Sequence, residues 1–470
     1  MEYWKVCVDC KGQGKILRSP SRRRRNRYQQ QVEACKLNDT LAFPEPLKEH
    51  KDICHSCTGS GLTPSTVQTP INPHYPTIAI IGAGIGGIAA AVACLHRGIP
   101  FTLYERDASF TDRSQGYGLT LQQASNALSG FGIQSLEEGI ISTKHVVHTP
   151  DGTVIGEWGM RKWKVAQKET KKRKNVHIAR QSLRQSLLNQ LKGTQHIQWN
   201  HRYIDAGENQ SGGMDVTFQV GEEQINKKVD LVIAADGIRS SVREQIIPYD
   251  ITPLRYLNCT VILGICSLDS LKKAESDLLD SATVFQTVNG HERIYVMPYD
   301  SESVMWQLSI PLSEEDAQEL STQGASAMKA EALKRVSWHT PIPEIINATP
   351  ESLITGYPVY DRGLLTQDML KNASKITLIG DAAHPMSPFK GQGANQALLD
   401  ALSLIRHISL ACGADSSWRQ KGIQKTVLND FEEEMIQRTS PKVKASAEAV
   451  QLLHSQAVLR EGDAPRGRGL

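Results

Sequence analysis

The N-terminal sequence MEYWKVCVDC lacks the basic flank and apolar core of a secretory signal. Long apolar runs are also scarce: only the stretch from Thr77 to Leu95 stays uncharged for close to the ~20 residues that a membrane helix needs. Four of the six positions from Gly82 to Gly87 are glycine, which favours a buried strand, turn and helix over a membrane helix. We therefore predict a chain without a membrane span, located in the cytoplasm.

A large excess of charge of one sign is absent too. The sequence has 53 Lys and Arg residues against 50 Asp and Glu residues, a net charge of +3. This balance excludes a chain built mainly to bind nucleic acid, which we do not expect as a partner. The local basic runs from Arg22 to Arg27 and from Lys168 to Lys174 are typical of solvated loops, with phosphate or RNA binding as the alternative.

Changes in composition divide the 470 residues into segments of different character. From Thr77, buried strands, a glycine turn and an alanine-rich helix form a βαβ unit, whereas CTVILGIC, RIYVMPYD and SVMWQLSIP alternate as antiparallel strands with one wet face do. Helical periodicity predicts one polar helix from about Glu314 to Trp338. The predicted segments are a cysteine-rich module (1–62), a stiff Pro/Thr/Ser-rich linker (63–76), a nucleotide-binding domain in two parts (77–251 and 351–412), an antiparallel substrate domain (252–350) and a helical tail (413–470).

A glycine pattern follows the first buried strand. Gly82, Gly84 and Gly87 fit G-x-G-x-x-G between the strand IAII and a helix, and Glu105 ends the next strand. In this context the glycines permit a tight turn, close approach of a pyrophosphate to the helix N-terminus, and close packing of helix and strand, while the acid accepts hydrogen bonds from a ribose. The pattern predicts a dinucleotide site for NAD or FAD, with Arg106 as a further cofactor-binding candidate. A glycine-rich turn without a ligand is the alternative.

Three further segments distinguish between these dinucleotides. Asp236 and Gly237 close the strand DLVIAADG, and Arg180 begins the helical stretch RQSLRQSLL. The segment from Gly380 to Asn395 reads GDAAHPMSPFKGQGAN, ends the strand KITLIG and enters a helix. It resembles the second FAD motif of the class A flavoprotein monooxygenases, which include para-hydroxybenzoate hydroxylase, salicylate hydroxylase and the tetracycline-destroying flavoproteins. The resemblance covers about residues 77–412.

The resemblance implies a role for each matched residue. Asp381 would bind the ribityl hydroxyls of FAD. Gly391 and Gly393 would present backbone N–H groups to the pyrimidine end of the flavin, at the start of the helix from Asn395. Pro388 would shape the cavity beside the flavin. The other residues implied to bind or border the cofactor are Arg180, Asp236, Gly237 and Arg113, with a solvated loop arginine as the alternative for Arg113.

The implied activity is that of an FAD-dependent monooxygenase. NAD(P)H would reduce the flavin, O2 would form a hydroperoxyflavin, and a small aromatic or polyketide-like substrate would be hydroxylated. A second G-x-G-x-x-G is absent from the sequence, which favours transient binding of NAD(P)H. No amino-acid nucleophile is needed, so we interpret His384 as a packing or hydrogen-bonding residue, with a general base as the alternative. Tyr295 and Met297 in RIYVMP are candidates to line the substrate pocket, with plain core as the alternative.

Two other classes of function use the same features. A flavin halogenase or a geranylgeranyl-reductase-like enzyme would share the fold, but the stretch from Trp158 to Trp163 does not match the halogenase signature W-x-W-x-I-P. A flavin redox sensor, tethered to a protein partner through the N-terminal module, is a non-enzymatic alternative.

Two copies of C-x-x-C-x-G-x-G lie near the N-terminus. Cys7 and Cys10 form one pair and Cys54 and Cys57 the other, within a total of nine cysteines. An odd total without a signal peptide favours metal ligands over disulfides. The motif resembles the zinc module of DnaJ-type co-chaperones, in which two copies hold one metal, and this implies one structural Zn2+ on four thiolates. Four free cysteines are the alternative, and His55 is excluded as a ligand because it lies inside the knuckle.

The predicted fold class is therefore α/β. It combines a Rossmann-like FAD-binding domain, an antiparallel-sheet substrate domain, a small N-terminal zinc module and C-terminal helices.

Overall fold

The computed structural model describes residues 3–37, 43–44, 50–112, 116–162, 175–193, 195–272, 274 and 276–466. Within this part of the chain, no helix is both long enough and apolar enough to cross a membrane. The predicted site residue Arg113 and the basic run from Lys168 to Lys174 lie outside the described residues.

A five-stranded parallel sheet forms the core of the nucleotide-binding domain. Two of its three internal strands, IAII and LVIA, are buried at every position, because parallel strands have helices on both faces. The strands, from one edge to the other, are β12 (Ile197–Gln198), β6 (Phe101–Tyr104), β5 (Ile78–Ile81), β16 (Leu231–Ala234) and β22 (Ile376–Leu378). The helices of this core are α2 (Ile85–Leu95), α3 (Arg180–Gln190), α4 (Ser241–Ile246), α8 (Gln367–Leu370) and α9 (Gly393–Ala411).

A seven-stranded sheet forms the second large layer. All its neighbouring strands are antiparallel except β9 and β18, which are parallel. Three of its strands come from outside residues 252–350. The strands in order are β10 (Val154–Trp158), β9 (Lys144–His148), β18 (Thr283–Val288), β19 (Arg293–Pro298), β20 (Ser303–Ile310), β17 (Leu254–Ser267) and β21 (Ile354–Arg362).

Three helices cover one face of this sheet. They are α5 (Glu314–Gln323), α6 (Ala325–Arg335) and α7 (Ile342–Ala348), and their buried side chains share one apolar cluster with the strands. The prediction of a single polar helix here is wrong. Gly324 stands between α5 and α6 with φ +86° and ψ −173°, a conformation that glycine adopts readily and that ends a helix.

Two smaller sheets and the C-terminal helices complete the main body. The predicted C-terminal helices are confirmed: the tail folds as α10 and α11, separated by a single π-helical turn. The small sheets contain β7 (Gly118–Leu121), β11 (Val176–Ala179) and β8 (Ile140–Ile141), and β13 (Arg202–Glu208), β14 (Met214–Val220) and β15 (Glu223–Val229). The tail helices are α10 (Trp418–Lys421) and α11 (Asn429–Leu453).

The N-terminal module consists of two short antiparallel ribbons and one helix. Strand β1 (Tyr3–Val6) pairs with β4 (Leu62–Ser65), and β2 (Lys15–Arg18) pairs with β3 (His50–Ile53). The arginine run lies in helix α1 (Arg22–Leu37) and not in a loop as predicted. Arginine and glutamine are good helix formers, and the run remains exposed to solvent.

Candidate functional site

Four loops meet at one edge of the parallel sheet. Strands β5, β6, β16 and β22 run in the same direction, so the segments that follow them leave the sheet on the same side. The four segments are the glycine pattern after β5, the Glu105 loop after β6, the Asp236 loop after β16 and the Gly380 loop after β22. The fold thus brings together motifs that lie up to about 300 residues apart in the sequence.

The glycine pattern forms a tight turn into α2. Gly82 has φ +100°, and a Cβ there would lie 2.6 Å from the Ala235 carbonyl oxygen. A Cβ on Gly87 would lie 1.9 Å from the Gly82 carbonyl oxygen, so helix and strand pack too closely for a side chain. Gly84 differs, because nothing comes closer than 3.9 Å to its Cβ position. No side chain caps the N-terminus of α2, and its first turn contains no acid, which suits an anionic ligand.

Two charged residues hold the turn in place. Glu105 accepts hydrogen bonds from the backbone N–H groups of Ala83 at 2.6 Å and Asp107 at 3.1 Å. Arg184, which the sequence analysis missed, donates to the Ala83 carbonyl oxygen from Nε at 3.2 Å and from Nη2 at 3.0 Å. Its only sequence signal is an arginine one helical turn after Arg180. The predicted cofactor residue Arg106 is exposed to solvent.

The second loop, after β22, is fixed by a buried ionic network. Asp400 accepts hydrogen bonds from the Gly380 backbone N–H at 2.8 Å and from Nη2 of Arg438 at 2.9 Å, and its Oδ2 lies 2.7 Å from Nε2 of His384. Burial alone would raise the pKa of Asp400, but the neighbouring His384 and Arg438 hold it below its ordinary value. His384 is buried and acts here as a hydrogen-bonding residue, in agreement with our interpretation of it.

A buried arginine supports the same loop from the other side. Nη1 of Arg243 donates to the carbonyl oxygens of Ala382 and Ala383, each at 2.8 Å, and Nη2 donates to Thr252 at 2.9 Å. Its side chain is 1% exposed. Long-range support of this kind has no signal in the local sequence.

Asn395 connects the start of α9 to strand β7. Its Oδ1 accepts from the backbone N–H groups of Gln122 at 2.8 Å and Ala124 at 3.1 Å. Its Nδ2 donates to the carbonyl oxygens of Thr120 at 2.9 Å and Gly391 at 2.8 Å. The whole amide is therefore used within the protein, and Asn395 positions the loop.

The other predicted residues of this loop lie close to Asn395. Gly391 has φ +59°, and a Cβ on Gly393 would lie 3.5 Å from Oδ1 of Asp381. Pro388 begins a single 3-10 turn, Pro388–Lys390. The loop thus places Asp381 beside the N-terminus of α9.

Asp381, at this end of the parallel sheet, and Tyr357, on β21 of the seven-stranded sheet, interact electrostatically, and both side chains keep accessible surface. Burial raises the pKa of each. We call the space between the two sheets at these residues the recess. Tyr117 contributes to it, with the Arg180 guanidinium 5.5 Å from its ring centroid.

One buried polar atom beside the glycine turn has no partner within the described residues. Oδ1 of Asp236 is buried without a hydrogen-bond partner among the described atoms, and a Cβ on Gly237 would meet nothing within 4 Å. Unsatisfied buried acceptors are rare in proteins. Together with the uncapped start of α2, they fit a large polar cofactor such as FAD.

Strand β19 turns one face towards the recess. Met297 lies against Gly118, where a Cβ would be 2.4 Å from its Cε, and Tyr295 and Met297 share an apolar cluster with Tyr117. Ile294 and Val296 point to the opposite face, under the helices. The predicted substrate residues Tyr295 and Met297 thus lie on the face nearer to the predicted flavin loops.

Arg293 is the main residue of this face that the sequence analysis missed. It is 6% exposed, its Nε donates to Oε1 of Gln286 at 2.7 Å, and its guanidinium lies 4.8 Å from the Tyr295 ring centroid. Burial lowers its pKa to about 10. Among the described residues no carboxylate forms an ion pair with it. A charged residue at the start of an otherwise apolar strand was the signal that should have singled it out.

A family model for the FAD binding domain matches residues 75–418, well over half of the chain. The chain belongs to the FAD binding domain family. This confirms both the predicted resemblance and the predicted α/β fold with an FAD-binding domain.

The individual proteins to which the chain is similar are distant relatives. The chain is 27% identical over 359 residues to the aurachin C monooxygenase/isomerase of Stigmatella aurantiaca, covering 76% of this chain and 86% of that protein. It is 27% identical over 337 residues to the 3-amino-4-hydroxybenzoate 2-monooxygenase PtnB3 of Streptomyces platensis, covering 71% and 80%. The crystal structure of Klebsiella pneumoniae HpxO with FAD and uric acid matches with a TM-score of 0.65 at 19% identity, covering 81% and 89%.

The cysteine cluster lies outside the region that matches the FAD binding domain family. The four sulfur atoms all lie within 4.8 Å of one another, with 3.9 Å between Cys7 and Cys54 and 3.6 Å between Cys10 and Cys57. Four thiolates at about 2.3 Å from one zinc ion would be about 3.8 Å apart. These distances are far too long for disulfides, and all four side chains are buried.

The two cysteine knuckles are related by a local two-fold symmetry. The Gly14 and Gly61 N–H groups each donate to a sulfur at 3.2 Å, on Cys10 and Cys57 respectively. A Cβ on Gly14 or Gly61 would lie within 2.2 Å of a carbonyl oxygen of the opposite knuckle. The paired glycines of the motif are therefore required by the close approach of the two knuckles, and the donor set fits a tetrahedral Zn2+.

Proposed function

We propose that the protein is an FAD-dependent monooxygenase that uses NAD(P)H and O2 to hydroxylate a small, electron-rich aromatic or polyketide-like substrate. One observation carries this proposal: the glycine turn and the Gly380–Asn395 loop meet at one sheet edge, across a recess from the β19 face with Arg293, Tyr295 and Met297. FAD, when bound, supplies the electron transfer and the oxygen chemistry.

The residues of the chain would hold FAD in a defined orientation. The uncapped N-terminus of α2 and the glycines Gly82, Gly84 and Gly87 suit the pyrophosphate. Asp381 would accept hydrogen bonds from the ribityl chain, and the backbone at Gly391 and Gly393 would contact the flavin ring. Arg180, Asp236 and Gly237 would border the cofactor.

Arg293 would orient the substrate. A buried guanidinium without a carboxylate partner is stabilised by an oxygen anion or a polarised carbonyl oxygen. One relative is named for a hydroxybenzoate substrate, a ring with such groups. The aromatic side chains Tyr117, Tyr295 and Tyr357 would surround the ring and exclude water, which oxygen transfer from a reactive cofactor requires.

NAD(P)H would bind transiently, because the sequence offers a single nucleotide-binding pattern. The Cys7, Cys10, Cys54 and Cys57 cluster would hold one structural Zn2+.

The experiment that tests this function uses the purified full chain. We expect a yellow protein with one FAD, and NAD(P)H and O2 consumption that rises when a suitable phenol or aromatic acid is added, with an equivalent amount of hydroxylated product. A protein that takes up no FAD on reconstitution would refute the proposal. Oxidation of NAD(P)H that no aromatic compound stimulates, together with tight binding of a protein through residues 1–62, would instead support the redox sensor.

A further inference from the structure

Two arginines, Arg97 buried and Arg406 partly buried, lie between the cysteine cluster and the FAD-binding domain. Arg97 follows α2 and is 2% exposed. Arg406 lies in the second half of α9, and its Nη2 donates to the carbonyl oxygens of Gly59 at 3.2 Å and Ser60 at 2.8 Å. Helices α2 and α9 both begin at the predicted flavin site, and the opposite ends of the two helices contact the N-terminal module.

Arg406 lies directly beside the glycines that support the sulfur atoms. A Cβ on Gly14 would be 2.9 Å from its Nη2, and one on Gly61 would be 3.3 Å away. These are the glycines whose N–H groups donate to Cys10 and Cys57. The module in turn donates a hydrogen bond to α9, from Nε2 of Gln13 to the Arg406 carbonyl oxygen at 3.0 Å.

Arg97 approaches the first knuckle from α2. Its Nε is 3.9 Å from the Cβ position of Gly12, and Nη1 donates to the Ala93 carbonyl oxygen at 3.1 Å. Nε and Nη2 are buried without any hydrogen-bond partner among the described atoms, and so is Nε of Arg406.

Neither arginine forms an ion pair with a carboxylate within the described part of the chain. A buried guanidinium without a counter-charge is costly, by several kcal/mol for an ion left uncompensated. The acidic groups beside Arg406 are Cys10 and Cys57 of the cluster, and those beside Arg97 are Cys94, Tyr75 and Cys10. Four thiolates around one divalent ion carry a net charge of −2, which matches two arginines.

We propose that Arg97 and Arg406 neutralise the net negative charge of a zinc tetrathiolate and thereby dock the N-terminal module onto the C-terminal ends of α2 and α9. The module is then an integral metal-dependent part of the FAD-binding domain. This inference rests on the proposed zinc site and goes beyond it, because it assigns the two arginines as positioning residues outside the ligand set.

The test separates charge from hydrogen bonding. Arg406→Gln keeps N–H donors but removes the charge, and Arg406→Lys keeps the charge. At the second site Arg97→Met removes both the charge and the donors, and Arg97→Lys keeps the charge. Arg202→Gln, at an exposed position on β13, is the matched control. The measurements are zinc content by elemental analysis, the rate of zinc transfer to a chelating dye, and hydrogen exchange in residues 3–18 and 50–65.

We expect one zinc per wild-type chain. Zinc transfer should be about 10- to 100-fold faster in Arg406→Gln and Arg97→Met, the range typical of groups that support metal ligands from outside, and close to wild type in the lysine variants and the control. Faster hydrogen exchange in the module should accompany faster zinc transfer.

A second measurement covers the case in which a variant folds poorly. In metal-depleted protein the two arginines have no counter-charge, so Arg97→Met should lower the melting temperature of the zinc-loaded protein but raise that of the depleted protein. Less than one zinc per wild-type chain would remove the zinc site and this inference together. One zinc per chain with equal transfer rates in all variants, or lysine variants as fast as neutral ones, would overturn the role of the arginine charges alone.

Discussion

At the scale of single residues, the site depends on charged groups that are removed from water. Arg184, Arg243 and Arg293 are all buried, but only the first two donate from both Nη groups to protein acceptors. Arg293 keeps its two Nη groups free of any protein acceptor at hydrogen-bonding distance within the described residues. It is therefore the residue we expect to decide which substrates are accepted.

Replacing Arg293 should separate substrate recognition from cofactor binding. We expect Arg293→Met to lower kcat/KM for an anionic aromatic substrate by about 10- to 100-fold, the cost of one hydrogen bond to a charged group. Flavin content should not change. Steady-state kinetics with acidic and neutral aromatic compounds measure this, with Arg293→Lys as the charge-conserving control. An equal loss for neutral and anionic substrates would contradict the assignment.

Glu432 gives a prediction about stability and pH. It accepts hydrogen bonds from Thr377 at 2.9 Å and Gln424 at 3.2 Å, but burial raises its pKa to about 7 from an ordinary value of 4.5. Between these two pH values the carboxyl group is protonated in the folded state and ionised in the unfolded state. Glu432 therefore lowers the free energy of unfolding progressively as pH rises from about 4.5 to 7, and by a constant amount above pH 7.

Glu432→Gln resembles the protonated acid, because it keeps one carbonyl acceptor, has an NH2 group in place of the other oxygen and cannot ionise. We expect its gain in unfolding free energy over wild type to grow from near zero at pH 4 to at most about 3 kcal/mol at pH 8. Thermal unfolding at several pH values measures it. Glu433→Gln, the exposed neighbour on the same helix, should show no such trend, and a gain that is independent of pH would refute the explanation.

At the scale of elements, the start of α2 offers a test that needs no catalytic activity. Gly84 has φ −72° and room for a Cβ, so alanine fits the free protein. In the complex with FAD the pyrophosphate would occupy that space, because it must approach the backbone at this position. Gly84→Ala should therefore leave the melting temperature of the FAD-free protein unchanged or slightly higher, while it weakens FAD binding.

We expect a loss of at least tenfold in FAD affinity, about 1.4 kcal/mol, measured by titration of the FAD-free protein. Gly413→Ala, which also has open space at its Cβ position but lies beyond the other end of α9, is the control. FAD binding of wild-type strength in Gly84→Ala would place the pyrophosphate elsewhere.

Helix α11 links the flavin loop to the rest of the tail through Arg438 and Asp400. Breaking a buried ion pair leaves an uncompensated charge and costs about 3–5 kcal/mol. Arg438 is 19% exposed, so we expect Arg438→Leu to cost about 2–4 kcal/mol in unfolding free energy and to loosen FAD binding. Chemical denaturation and flavin release on dilution measure the two effects. Arg438→Lys should retain most of both.

At the scale of the whole molecule, the parts of the fold that short sequence patterns encode could be predicted from the sequence. Glycine spacing, an acid at a strand end and the GDAAH loop are local, and together they predict the nucleotide fold and its FAD loops. Two further properties were out of reach. The face of β19 that meets the recess depends on helices that pack from the other side, and the contact of Arg406 with the second cysteine knuckle joins residues about 350 positions apart.

The strands of the seven-stranded sheet come from separate parts of the sequence. Strands β9 and β10 enter it before the parallel sheet is complete, β17 to β21 return to it, and Val450 of the tail packs against β17. Neither half of the molecule can therefore be excised or exchanged as a continuous piece without leaving strand edges unpaired. New substrate preferences in such a scaffold must arise by replacing individual side chains on the β19 face that meets the recess. A library of variants confined to that face is the rational way to redesign this catalyst.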